Sequence, residues 1–244
     1  MYDDKPREQM EASLATEDPV HLDMKLSANT RMGFIRKVYS ILFIQLSITA
    51  IWITIVALNQ SAFYDFFRRT GALTICVAVV QLVCLYALGC YRQLARSVPT
   101  NYLLLSVFTM SMAYLASTFT VFFDPLSIMS AGILTAVMVG GLTAYAVTTK
   151  TDWSAMSAFI WSLCLLLIFG GILSIFIKNR TFSIFMSVLV IAIMAVFVVY
   201  DTQLIVGGKS QEFEIDEYVF AAMTLYIDIV RIFMEILNLL GNKR

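Results

Sequence analysis

Seven uninterrupted apolar runs, joined by connections too short to fold on their own, leave this chain little choice of architecture. They span Val38–Leu58, Gly71–Tyr91, Asn101–Phe123, Leu126–Thr149, Trp153–Ile177, Thr181–Val206 and Tyr218–Leu240, and the first five contain no Asp, Glu, Lys or Arg. Each can cross a hydrocarbon core of about 30 Å as a helix rising about 1.5 Å per residue. Short connections make consecutive helices antiparallel neighbours in one bundle. The expected fold is all-α, a polytopic membrane helical bundle of seven hydrophobic segments. It has no room for a soluble catalytic domain, so function must reside inside the helices or at their ends.

Composition agrees with this fold. The chain is 59% hydrophobic and 14% charged, and thirteen of its 34 charges fall in residues 1–37. Residues 1–33 read as a disordered charged tail and 34–244 as the transmembrane domain. The tail has no apolar core of the length a cleaved signal needs, so the first span is expected to act as an uncleaved anchor. Zero net charge gives no reason to expect nucleic acid as a partner. His21, the sole histidine, lies in the tail, which argues against a histidine metal site. Cys76, Cys84, Cys90 and Cys164 read as small buried hydrophobes with no disulfide framework. Gly140, Gly141, Gly170 and Gly171 read as points of close helix approach, and Gln45 and Gln81 as interhelical hydrogen-bond donors. Basic residues favour a cytoplasmic amino terminus by eight to six.

Two acids break the pattern. Asp201 follows the uncharged stretch from Thr181 to Tyr200, and Asp228 lies near the middle of the last run. A carboxylate at a helix centre costs about 2.5–3.5 kcal/mol on translocon scales, so such a residue usually faces a cavity or a partner. Within the last run Thr224, Asp228, Arg231, Glu235 and Asn238 recur at spacings of four, three, four and three. At 100° per residue they share a stripe about 80° wide, which is expected to face an internal cavity. Arg231 is also spaced to neutralise Asp228 or Glu235 within its own helix, so the stripe can equally be a structural ion-pair ladder.

Asp201 is the partner such a ladder does not need. Measured from the 207–217 connection, Asp201 sits about 9 Å deep and Asp228 about 15 Å deep, a mismatch that helix tilt absorbs. Two carboxyls meeting in a low-dielectric interior cannot both ionise and would share one proton. The pair then works as a latch: proton sharing holds the helices together, and full ionisation drives them apart or recruits a cation. Glu212, Glu214, Asp216 and Glu217 against Lys209 make the connection an expected acidic mouth that concentrates cations. Hard oxygen ligands suit calcium, held transiently by Asp201 and Asp228, although two carboxylates make an incomplete site.

Several stretches carry a resemblance. They are Phe34 to Leu46 (Phe-Ile-Arg-Lys-Val-Tyr-Ser-Ile-Leu-Phe-Ile-Gln-Leu), Pro99-Thr100-Asn101, Tyr200 to Gly208 (Tyr-Asp-Thr-Gln-Leu-Ile-Val-Gly-Gly), and Asp216 through Leu225-Tyr226-Ile227-Asp228 to Gly241. Over about residues 31–244 the chain closely resembles the transmembrane Bax-inhibitor-motif family, and within it the lifeguard branch. The resemblance implies a central last helix surrounded by the other six. It implies a pH-sensitive calcium-permeable leak channel of intracellular membranes that lowers stored calcium and suppresses cell death. The family's paired aspartates, its proposed pH sensor, map onto Asp201 and Asp228. An arginine near the end of the second helix is proposed there to pair with the acids in the closed state, and Arg92 and Arg96 are both candidates. Gln81 stands where some bacterial relatives have a glutamate, which removes one cation ligand.

The resemblance implies the lipid bilayer, calcium as permeant ion with no further cofactor, and cell-death regulatory or other membrane proteins as partners. It implies residence in the endoplasmic reticulum, Golgi or plasma membrane. A non-conducting regulator acting through partner membrane proteins is the alternative reading. Intramembrane aspartyl proteases also pair a Tyr-Asp with an aspartate on the next helix. Here Leu225-Tyr226-Ile227 replace the Gly-x-Gly expected before the second aspartate, so an enzyme is not expected.

Overall fold

The computed structural model describes residues 19–241, with side chains from 28 onward and without that of Arg92. Those residues form α1 (Pro19–Leu58), α2 (Gln60–Arg69), α3 (Gly71–Cys90), α4 (Arg92–Arg96), α5 (Thr100–Thr120), α6 (Pro125–Thr148), α7 (Ser157–Phe176), α8 (Arg180–Val206) and α9 (Tyr218–Leu240). The seven apolar runs are seven long helices, as expected. Six of them are long and apolar enough to cross a membrane, and α9 is the exception because it carries Asp228, Arg231 and Glu235.

Two differences from the sequence reading concern the ends and connections. Helix α1 begins at Pro19, so the stretch 19–33, read as disordered tail, is helical. Residues 1–18 and His21's side chain lie outside the described residues. The first connection also contains a helix of its own, α2. Its Phe63 and Phe67 pack against Trp52 and Tyr114, while Arg68 and Arg69 end it. Such an aromatic and basic helix suits the membrane–water interface.

The bundle is built around α9. Its direct partners are α1, α5, α6 and α8, with α8 the most extensive. Helix α3 packs on α5 and α7 packs on α8, so these two form the outside. Only Cys84 and Leu88 of α3 and only Gly170 of α7 are buried. Both helices are apolar on every face, which is stable only where the outer faces meet lipid. The last helix is therefore central, with four of the long helices against it and two in a second rank.

Polar side chains tie the centre together. Gln45 donates to Thr109 at 3.0 Å, and the Thr49 and Tyr226 hydroxyls meet at 2.7 Å. Gln81 donates to the Met112 sulfur at 3.0 Å, so both glutamines are interhelical donors. Asn101 is wholly buried and donates to the Ala95 carbonyl and to the Tyr218 hydroxyl. The small residues behave less uniformly. A Cβ at Gly170 would run into Met186, whereas nothing approaches Gly140, Gly141 or Gly171 within 4 Å. Of the cysteines Cys84 is buried and Cys164 half-buried, but Cys76 and Cys90 are exposed on the outer surface.

Asn101→Ala removes two buried donations that join α4, α5 and α9. The expected cost is about 1–3 kcal/mol, read as a lower Tm of the detergent-solubilised protein relative to wild type.

Candidate functional site

Asp201 lies one turn and a half before the end of α8, partly buried, and is hydrogen-bonded to Thr224 of α9. Asp228 lies one turn further along α9, only 5% exposed, within electrostatic reach of Asp201. The two carboxyls thus lie on adjoining helices, within electrostatic reach across the α8–α9 seam. Among the described residues the Asp228 Oδ2 atom has no hydrogen-bond partner and Asp228 makes no ion pair. A buried carboxylate oxygen without a donor is costly, so the site favours a protonated carboxyl or a cation there.

The rest of the stripe divides. Arg231 pairs with Glu235 at 3.0 Å rather than with Asp228. Glu235 accepts from Ser187 at 2.7 Å, and Asn238 donates to Ser187 at 2.9 Å. Arg231, Glu235 and Asn238 line a cavity of about 1020 Å³ between α7, α8 and the end of α9. A second cavity of about 350 Å³, bordered by Leu204, Phe220, Arg96 and Glu217, lies at the other end of the bundle. Along α8 the two cavities reach Met194 and Leu204, and along α9 they reach Arg231 and Phe220. Asp201 and Asp228 occupy the interval between them on both helices.

The connection at the second cavity is an ion-paired strap rather than an open acidic mouth. Arg96 reaches Glu214 at 2.6 Å, Asp216 at 3.1 Å and Glu217 at 3.0 Å. Its hydrogen bond to Glu217, followed by the other acids, pushes the guanidinium further above its already high range. Arg96, expected opposite the aspartates, is thus engaged by the strap; Arg92 opens α4, and its side chain lies outside the described residues. Arg31 donates to the carbonyls of Phe213 at 2.6 Å, Leu204 at 2.5 Å and Val206 at 3.3 Å, and its Nη1 lies 3.8 Å from Glu212. The Leu204 and Val206 carbonyls are among those that the end of α8 leaves without helical donors. Gly207 ends that helix at φ 75°, where a Cβ would collide with Glu212 and Arg31. No group of three or more His, Cys, Asp or Glu converges among the described residues, so a cation here would rest on the aspartate pair and backbone or water oxygens.

A family model described as Inhibitor of apoptosis-promoting Bax1 matches residues 31–244. The chain belongs to the transmembrane Bax-inhibitor-motif family. It is 32% identical to protein lifeguard 4 of Mus musculus over 218 residues, 88% of this chain and 87% of that protein. It is 31% identical to the Golgi anti-apoptotic protein of vaccinia virus (strain Lister) over 220 residues, 89% of this chain and 90% of the relative. Protein LIFEGUARD 3 of Arabidopsis thaliana is 32% identical over 243 residues, 96% of this chain and 94% of that one. These matches place this Bax-inhibitor-family chain on the lifeguard branch, as a multi-pass membrane protein.

Three residues of this family member escaped the sequence reading as individual site components. Gln203, in the Tyr-Asp-Thr-Gln motif, is buried and accepts from Trp153 N at 2.8 Å while donating to Thr151 O at 3.0 Å. It fastens the α6–α7 connection to α8 two residues past Asp201. An amide inside an apolar run was the available signal. Arg31 and Asp152 gave no such signal, because both lie in polar stretches. Asp152 accepts from Ser154 and from the Ser210 hydroxyl and amide, and the Ser154 bond leads the set that holds its carboxyl well below the usual range.

The sign of that shift sets a pH window for the strap. A carboxyl with a lowered value stabilises the folded arrangement above the ordinary range of about 3.9 and loses that contribution as pH falls through its own lower value. Hydrogen-exchange protection at Ser210 and Gln211 is therefore expected to persist at about pH 4 and to fade only below it. Asp152→Asn should lower protection at neutral pH. Arg96→Ala should raise exchange across Glu214–Glu217 while leaving the α9 core protected.

Proposed function

We propose that this protein is a pH-sensitive calcium-permeable leak channel of intracellular membranes, gated by proton sharing between Asp201 and Asp228. The observation that carries the reading is the position of the pair between two cavities that open at opposite ends of the bundle. With one proton shared, the carboxyls hold α8 against α9 and close the interval. With both ionised, like charges repel at low dielectric and the seam parts or takes in a cation. Thr224 on α9, with Cys164 on α7 and Tyr200 on α8 in electrostatic reach, faces this pair and adds no fixed charge. Calcium is the fitting cation because the two carboxylates and the Thr224 hydroxyl offer hard oxygen ligands.

Release of stored calcium through such a leak would lower the store and suppress cell death. The matching family's description, Inhibitor of apoptosis-promoting Bax1, and the name of the vaccinia relative, Golgi anti-apoptotic protein, support that outcome and an endomembrane location.

Calcium efflux from liposomes holding the purified full chain, followed across a pH series, tests the gate. Loss of the shared proton opens the latch, so wild-type efflux should rise with pH. Asp201→Asn with Asp228→Asn should abolish that slope and change the rate at alkaline pH by at least about tenfold, equivalent to about 1.4 kcal/mol of barrier. Unchanged rate and pH response would remove the pair from the gate. Protection from cell death that survives the double change would favour a non-conducting regulator instead.

A further inference from the structure

The larger cavity is amphipathic along its length. Lys178, in the short connection from α7 to α8, and Arg180, the first residue of α8, stand at its mouth, while Arg231 of α9 lines it a turn deeper than Glu235. Ser183, Ser187 and Asn238 form a polar neck, and Leu167, Ile168, Val190 and Met194 form an apolar wall. One carboxylate, Glu235, lines the cavity with these three cations, and it is already bound to Arg231. Among the described residues Lys178 and Arg180 make no ion pair. The Arg231 side chain stays 50% exposed although its helix is the centre of the bundle. Glu235 supplies the anion that an arginine at that depth needs, so the unmatched cations of the cavity are Lys178 and Arg180.

The cavity is also bordered by lipid-facing side chains. Helix α7 packs on α8 and is not closely packed on α9, and both Ile168 and Ile184 are exposed at the cavity's edge. Its mouth lies where two spanning helices are joined, at the depth of lipid headgroups. Basic pockets between membrane helices at that depth recognise anionic headgroups, and guanidinium groups suit phosphate oxygens.

We infer that this cavity binds an anionic phospholipid, its phosphate held by Lys178 and Arg180 at the mouth and one acyl chain lying along Leu167, Ile168, Val190 and Met194. The α9 side, with Glu235 and Asn238, remains polar. The lipid neutralises the excess positive charge and supplies the packing that α7 does not make with α9. Binding does not depend on whether the protein conducts calcium.

Native mass spectrometry of the full chain, titrated with phosphatidylserine or phosphatidylcholine of matched acyl chains, tests this. The wild type should retain phosphatidylserine preferentially. Lys178→Gln with Arg180→Gln should cut that preference about 25-fold, since each cation near a charged headgroup is worth about a factor of five. Gly171→Leu has open space for its side chain and should exclude both lipids while the melting curve stays cooperative. A phosphatidylserine carrying a photoreactive group on its acyl chain should label wild-type residues within 167–174 and 190–194. Equal retention of the two lipids by wild type, or labelling confined to other helices, would overturn the proposal. So would displacement of phosphatidylserine by inorganic phosphate alone, which would mark a free-anion site.

Discussion

A helix carrying Asp228, Arg231 and Glu235 cannot face hydrocarbon, and the rest of this bundle is arranged around that restriction. Each of those groups would cost several kcal/mol against lipid. Helices α1, α5, α6 and α8 enclose α9, and the apolar faces of α9 fill the space between them. Helices α3 and α7 have no charged group that needs shelter and occupy the outside.

Enclosure handles the charges in different ways. Arg231 and Glu235 satisfy one another, and Ser187 and Asn238 complete the set beside the large cavity. Asp228 has no such arrangement for its Oδ2 atom. Asp228, the poorly satisfied buried acid among the described residues, thus lies within electrostatic reach of a second acid, an arrangement with no evident advantage for stability. The end of α8 that sets the height of Asp201 is held by Arg31, by Gly207 and by the bonds of Gln203. The Tyr-Asp-Thr-Gln motif thus contains both an acid and the side chain that fixes the helix bearing it.

Much of this was legible from local pattern. The seven runs, the amphipathic stripe on the last and the glutamine donors all follow from spacing within one segment. The helix at 60–69 was missed because it lies along an interface and is too short and too charged to read as a span. The strap was misread as an open acidic mouth because the cation that neutralises it, Arg96, is 118 residues away from Glu214. The glycine pairs were over-read for the same reason: whether a neighbouring helix approaches depends on which side of its own helix each glycine occupies.

Taken alone, the sequence determined how many long helices form, that they lie in a membrane, and that the last must be central. Hydrophobic length and the cost of charge in lipid are properties of a segment and need no neighbour. Only the tertiary structure decided that Asp201 lies within electrostatic reach of Asp228 while Arg231 turns to Glu235, and that two arginines close the strap. It also decided that a cation-rimmed cavity remains beside α7. Those outcomes depend on helix rotation and relative height, which packing sets and composition leaves open.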